Sequence, residues 1–453
     1  MSNFSVGFGR VNITPSMGTP IGGYYVVRLA DHVKDELEAN AIAFSYGDTK
    51  AILISADISG LFYEFAEPLC QHISKATGVD SDHIFITCTH THTGPEANIN
   101  RRIVPEKQEE YLHFLRTRLT DAALFALNDL KSAKMAWAVG QAPGIAFIRR
   151  YRMKDGSTRT NPGVNNPEVL APIGDVDERV GVLRFDREGG ETIVLANIGI
   201  HPDTVGGCGI SGDWPGFTRR IFEKTVDNTR LILLNGCQGD VNHVNTSPAP
   251  GQNNDLTLDF DDCMRGYGHA RHMGMTVAGG VMQVYSKAAY IPADSLHVFK
   301  QVVEHPSNMP SPEEMPEAHR INNLHQAGKD DELPYEGMML TTVVAEAERM
   351  VQLENGPEKF DLCMGVLTIG NVALVGIPGE PFTAVGRTIK AAPGWDLVMP
   401  MCCTNGYEGY FPTIDAYLEG GYEARSSIFK AGVAESVADN AVRMLNEIRK
   451  GDK

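Results

Sequence analysis

Hydrophobic runs closed by turn residues recur along this chain, and stretches of helical spacing separate some of them. Residues 41–46 and 51–56 are apolar and are split by Gly47-Asp48, which predicts a hairpin. Residues 180–185 and 192–200 flank the turn residues 187–190 and predict a second. Residues 363–377 predict a third, turning at Gly370-Asn371. Between residues 106 and 131, Tyr111, Leu115, Leu119, Ala122 and Ala126 recur at helical spacing, so an amphipathic helix is expected. Ser211-Gly212-Asp213 ahead of Pro215 reads as a helix start. Residues 428–449 close the chain as another amphipathic helix. From 295 to 356 the composition shifts: prolines gather between Pro306 and Pro334, and a helical run follows from 338 to 353. That segment reads as a surface insertion or lid, with a plain connector as the alternative. Hairpins mixed with helices predict an α+β (mixed α/β) fold, central mixed β-sheets flanked by helices, in a single domain over residues 1–453.

Bulk properties narrow the partners more than the fold. A chain of 453 residues is long enough to bury a large core, and 42% hydrophobic with 21% charged residues is ordinary for a globular protein. The formal net charge of −17 argues against a nucleic-acid backbone or an anionic membrane surface as main partner, and leaves a small molecule. No run reaches the roughly 18 apolar residues of a membrane span. The N-terminus lacks the basic-then-apolar pattern of a secretion signal. Eight cysteines without a CxxC pair fit reduced thiols, so a cytoplasmic protein is expected. A homo-oligomer is compatible with the sequence.

Metal-capable side chains stand at the ends of the apolar runs. HIFITCTHTH (83–92) ends in His90 and His92, which on a strand share one face. TIVLANIGIH (192–201) ends in His201, before Pro202. NVALVGIPGE (371–380) ends in Glu380, which is either a helix N-terminal acid or a ligand. The loop NGYEGY (405–410) carries Tyr407 and Tyr410, residue types that serve as packing or as substrate platforms. Each element alone is ambiguous; imidazoles and a carboxylate converging on one ion would make a hydrolytic metal site. Asp57 and Asp240 are candidates to orient the histidines or to cap turns. Arg149 and Arg150 are candidates to grip a substrate carboxylate or hydroxyls, a solvated basic loop being the alternative. The GxGxxG match at 207–212 is discounted as a nucleotide site, because Pro202 and further residues separate it from the preceding strand.

Taken together, THTHTGP, the strand ending in HP, NGCQGDVN, IPGEPFTAVGR, and NGYEGY followed by GGYEARSS resemble the neutral, non-lysosomal ceramidase family of zinc amidases. The resemblance runs from VGFGRVNITP at the start to YEARSSIF near the end. It implies one zinc ion held by His90, His201, Glu380 and Tyr410, with His92 contacting substrate or moving a proton. It implies cleavage of an N-acyl bond by metal-activated water. Where the family reads GDVSPN, this chain has Gly239-Asp240-Val241-Asn242-His243-Val244. Asn242 therefore stands where a serine would, and no acyl-serine route is open there. With that change, and without the family's C-terminal sandwich domain in this sequence, the expectation is a small polar N-acyl substrate rather than ceramide. The alternatives are a zinc hydrolase of lactones or glycosidic bonds, or a catalytically silent metal-containing binding protein.

Overall fold

The structure is a computed structural model that describes residues 4–97, 104–249 and 266–451. Its larger sheet has nine strands: β1 (Phe4–Asn12), β2 (Glu38–Tyr46), β3 (Thr49–Ala56), β4 (Ile84–Cys88), β5 (Lys131–Gln141), β6 (Arg179–Arg187), β7 (Thr192–Ile198), β8 (Thr229–Asn235) and the short β9 (Ala289–Ile291). Across the sheet they run β8-β7-β6-β5-β1-β2-β3-β4, with β9 paired to β5. The outermost pairs, β3–β4 and β7–β8, are parallel. The second sheet runs β10 (Leu296–Pro306), β11 (Lys359–Ile369), β12 (Val372–Gly376) and β13 (Leu397–Met401), with β12–β13 parallel. Mixed sheets under helices are what the hairpin pattern predicts. The expected hairpins are β2–β3, β6–β7 and β11–β12.

The apolar runs are continuous because these strands are covered on both faces. In β3, Ala51 and Leu53 face the second sheet while Ile52 and Ile54 face helices. In β7, Ile193 and Leu195 alternate with Val194 and Ala196 in the same way. In β12, Val372 and Leu374 face the large sheet, and Ala373 and Val375 face outward into a third cluster. The outer face of the large sheet carries α1 (Tyr63–Thr77) and α2 (Pro105–Asn128) over one half. The other half lies under α3 (Asp213–Thr225) and α4 (Tyr267–Tyr285). On the second sheet's outer face pack α7 (Thr383–Lys390) and α10 (Val433–Gly451), while two insertion helices, α5 (Met315–Gln326) and α6 (Gly337–Leu353), form a separate cluster. Two short helices, α8 (Ile414–Glu419) and α9 (Tyr422–Ser426), follow β13. The result is a four-layer α/β/β/α sandwich.

The large sheet bends until its two margins meet. Ser55 on β3 donates to the Leu233 carbonyl on β8 at 2.6 Å, and Asn235 donates to the Thr89 carbonyl at 3.0 Å. The segment after β13 wedges into the remaining gap. Cys402 N donates to Asn235 O at 2.9 Å, and Cys88 N donates to Cys403 O at 3.2 Å. The Asn405 side chain accepts from Ile86 N at 2.7 Å and donates to Ile84 O at 3.1 Å. An asparagine thus supplies β4 with the partner that its outer edge lacks.

Two segments differ from expectation. The closing helix begins at Val433, because Phe429 bridges to Ser307, Lys430 N donates to Pro306 O and Gly432 turns the chain at φ 106°. The segment 295–356 opens on β10, which pairs with β11 along its full length. Only then do α5 and α6 pack a small core of their own around Met315, Ile321, Val343 and Ala347. Among the described residues no helix is long and apolar enough to cross a membrane, and the cysteines are free thiols.

Strand β1 lies so close under α2 that only hydrogen fits at Gly7 and Gly9. A Cβ on Gly9 would collide with the Ala122 carbonyl oxygen, which is helix backbone and cannot give way. Gly9→Ala is therefore expected to cost about 3 kcal/mol, read as a lower urea midpoint at unchanged m-value. An unshifted midpoint would contradict this packing.

Candidate metal centre and active site

Each side chain of the site leaves the end of a strand in a parallel pair. His90 follows β4, His201 follows β7, Glu380 follows β12, and Tyr407 and Tyr410 follow β13. Loops leaving the C-terminal ends of neighbouring parallel strands converge. The closed margin sets β4 against β8, beside β7, and so sets His90 against His201. Their Nε2 atoms are 3.3 Å apart. Glu380 Oε2 lies 3.3 Å from His90 Nε2 and 3.1 Å from His201 Nε2. His92 Nε2 lies 3.2 Å from His90 Nε2. His90, His92 and His201 form a buried group able to hold a metal ion, their ligand atoms within 4.8 Å of one another. Strand alternation is not what aligns His90 with His92. β4 ends at Cys88, and His90 takes a left-handed φ of 72°, a strained conformation for a residue with a Cβ.

The donor set fits a cation. His90 Nδ1 meets the Ser59 carbonyl at 2.5 Å, and His201 Nδ1 meets the Gln238 carbonyl at 3.2 Å. A carbonyl only accepts, so each Nδ1 carries a proton and each neutral ring offers its Nε2 lone pair. Glu380 Oε1 accepts from the Tyr407 hydroxyl at 3.0 Å, while Oε2, fully buried, accepts no hydrogen bond. Three lone-pair atoms thus crowd one point. Without a cation there, a proton must balance the charge. Burial disfavours charge on His90, but Glu380 outweighs it and holds that imidazole above its ordinary value. Burial likewise opposes ionisation of Glu380, yet His90 and His201 hold its carboxyl well below the usual range. Burial, then the charges of His90 and His201, drive His92 well below the ordinary imidazole value. Burial and Arg149 lower His201.

The remaining candidate residues lie around this centre. Tyr410 stacks on His201 with ring centroids 6.4 Å apart, and the Arg149 guanidinium stands over the Tyr410 ring at 5.2 Å. Arg149 and Arg150 are neither in a solvated loop nor on the described cavity wall. Both are buried, 4% and 2% exposed. Arg149 donates to Glu423 at 2.7 Å and to the Gly239 carbonyl at 2.7 Å. Arg150 donates to Glu419 at 3.2 Å and to the Gly420 carbonyl at 3.1 Å. Asn242 donates to Asn161 at 3.2 Å and accepts from Val244 N at 3.0 Å. Asp57 accepts from Arg219 at 2.7 Å, and Asp240 accepts from Thr383 N at 2.7 Å in the first turn of α7. The histidines are thus oriented by the carbonyls of Ser59 and Gln238, not by these two carboxylates. At 207–212, Gly209–Ile210 pairs with His32–Val33 and no strand runs into the first glycine.

A cavity of about 220 Å³ opens beside His92. Tyr24, Tyr25, Phe62, Tyr407, Tyr410 and Tyr422 form its aromatic wall, and Glu96, Glu348 and Glu408 add carboxylates. Burial, then Glu64, push the Glu408 carboxyl up to about 7. Sequence reasoning missed Tyr24, Tyr25, Tyr422, Glu348 and Glu423. A weak signal existed for three of these, since tyrosines directly follow Gly22-Gly23 and Gly420-Gly421. Glu348 lies on an ordinary helix face and gave none.

This four-layer architecture is the fold of solved neutral ceramidase structures. The crystal structure of neutral ceramidase from Pseudomonas aeruginosa matches at a TM-score of 0.76 and 17% identity, covering 99% of this chain and 74% of that one. A structure of a ceramidase complexed with C2 matches at 0.73 and 16% identity, covering 99% and 75%. In sequence, the neutral ceramidase of Mycobacterium tuberculosis is 39% identical over 70 residues, a stretch spanning 14% of this chain and 11% of that protein. No family model matches the chain.

Proposed function

We propose that this protein is a zinc-dependent hydrolase that cleaves the amide bond of a small N-acyl substrate. The observation that carries the reading is the triangle of His90 Nε2, His201 Nε2 and Glu380 Oε2, with edges of 3.1 to 3.3 Å. Ligand atoms 2.0–2.1 Å from a tetrahedral zinc ion stand roughly 3.3 Å apart. The fold shared with the neutral ceramidases supports the amide as the bond cleaved.

His90, His201 and Glu380 would hold the ion, with Tyr410 as a fourth protein donor in a shell expanded to five so that a water keeps its place. When bound, zinc supplies an activated water and polarises the scissile carbonyl. His92 is set apart from the other two histidines by its free tautomer: its Nδ1 makes no hydrogen bond, so no carbonyl locks it. It lines the cavity and is the group that moves the proton to the leaving nitrogen. Arg149 braces the Tyr410 ring from 5.2 Å, and Tyr407 steadies Glu380. Asn242 is taken up by Asn161 and Val244, so its part is to hold the turn after Asp240.

Chelation tests the reading. Dialysis against a strong chelator is expected to abolish hydrolysis of short acyl-amide chromogens, and one equivalent of zinc to restore it. The metal should also raise the thermal midpoint, because it binds only the folded chain. A protein that keeps full activity at under a tenth of an equivalent of metal would end the proposal. A panel of lactones and nitrophenyl glycosides alongside the amides separates the bond classes.

A further inference from the structure

We infer that the cavity beside His92 selects a substrate with a permanent or protonated ammonium group a few atoms from the scissile bond. The inference rests on the hydrolase reading above and names its substrate class. Its basis is the chemistry of the wall. Tyr25 and Tyr407 present ring surface to a space of about 220 Å³, while Tyr24 and Tyr422, also in the wall, already carry the guanidinium groups of Arg28 and Arg149 over their rings at 4.1 and 5.9 Å. Ring faces attract cations and are indifferent to anions. Two acidic side chains in that wall have no cationic partner among the described residues. Glu348, half-buried on α6, makes no hydrogen bond or ion pair among the described residues. Glu408 accepts only from backbone, at Tyr63 N and within its own loop. No lysine or arginine is among the described lining residues. His92, 7% exposed and without a hydrogen bond at Nδ1, completes the wall.

Size points the same way. The space beside His92 has room for a compact head group, and its wall is mainly aromatic and acidic rather than aliphatic. Burying alkyl carbon against the half-buried Glu348 carboxylate is unfavourable, because it strips water from the charge and returns nothing. A compact cation returns both Coulomb attraction and ring contact.

Two probes of equal shape separate charge from size. The 4-nitroanilides of trimethylammonioacetic acid and of 3,3-dimethylbutanoic acid differ only in a nitrogen for a carbon. With zinc-loaded protein, the cationic anilide is expected to show at least a tenfold higher kcat/KM. Calorimetry with the corresponding non-hydrolysable amines should give at least tenfold tighter binding of the cation. In Glu348→Gln, whose side chain is half-solvated and keeps its size, that preference should shrink at least threefold. Equal or better handling of the carbon isostere would overturn the inference. Cation-selective binding without hydrolysis of either anilide would retain the inference and remove the hydrolase reading. Hydrolysis of both without selectivity would do the reverse.

Discussion

Glu380→Gln is expected to lower amide hydrolysis by about 10³-fold, the worth of roughly 4 kcal/mol of metal-derived stabilisation. The amide keeps the shape of the side chain and its contact with Tyr407. It removes the charge that faces two imidazoles at 3.1 and 3.3 Å. One neutral oxygen among neutral nitrogens holds a divalent ion poorly, so zinc content should fall in step. The thermal gain on adding zinc should shrink too, which distinguishes lost metal from lost chemistry. A variant with full zinc and activity within tenfold of the parent would show that Glu380 is not a ligand.

The second large effect is structural. Glu423 is fully buried between two arginines. Its Oε1 accepts from Arg149 at 2.7 Å, its Oε2 accepts from Thr160 at 2.9 Å, and Arg150 Nε stands 4.0 Å away. Arg150 keeps Glu419 if Glu423 is lost, but Arg149 keeps only a backbone carbonyl and the Tyr410 ring. Glu423→Ala therefore strands a buried guanidinium and should destabilise the fold by about 3–5 kcal/mol. Glu423→Gln, which still accepts a hydrogen bond, should cost less. Equilibrium urea unfolding measures both. A loss under about 1 kcal/mol for the alanine variant would mean that water reaches the arginines. Because Arg149 holds Tyr410, the folded fraction of the variant should also be slower in hydrolysis.

Much of the strand plan was legible in the chain. β3, β7 and β12 are buried on both faces, so their apolar runs stand out, and Gly47-Asp48 and Gly370-Asn371 mark real turns. α2 lies within a few residues of its periodic pattern. Local pattern could not reveal which runs lie opposite one another. His90 and His201 meet because the two margins of one sheet close, and no periodicity encodes a meeting of residues 111 positions apart. The arginines show the same gap. In sequence Arg149 and Arg150 read as substrate-gripping candidates or a solvated loop, since the carboxylate partner of Arg149 lies 274 residues further on. Asn405 stood in an aromatic motif that suggested chemistry, and its side chain instead pairs with the backbone of β4.

The wedge at 402–405 has a further effect on how this molecule comes apart. It continues directly from β13 of one sheet and is hydrogen-bonded to β4 and β8 of the other. Neither layer can therefore loosen alone: peeling β13 away uncovers backbone groups on both neighbours at once. The two sheets share a single opening event, and the loops that carry His90, His201 and Glu380 are released together in it.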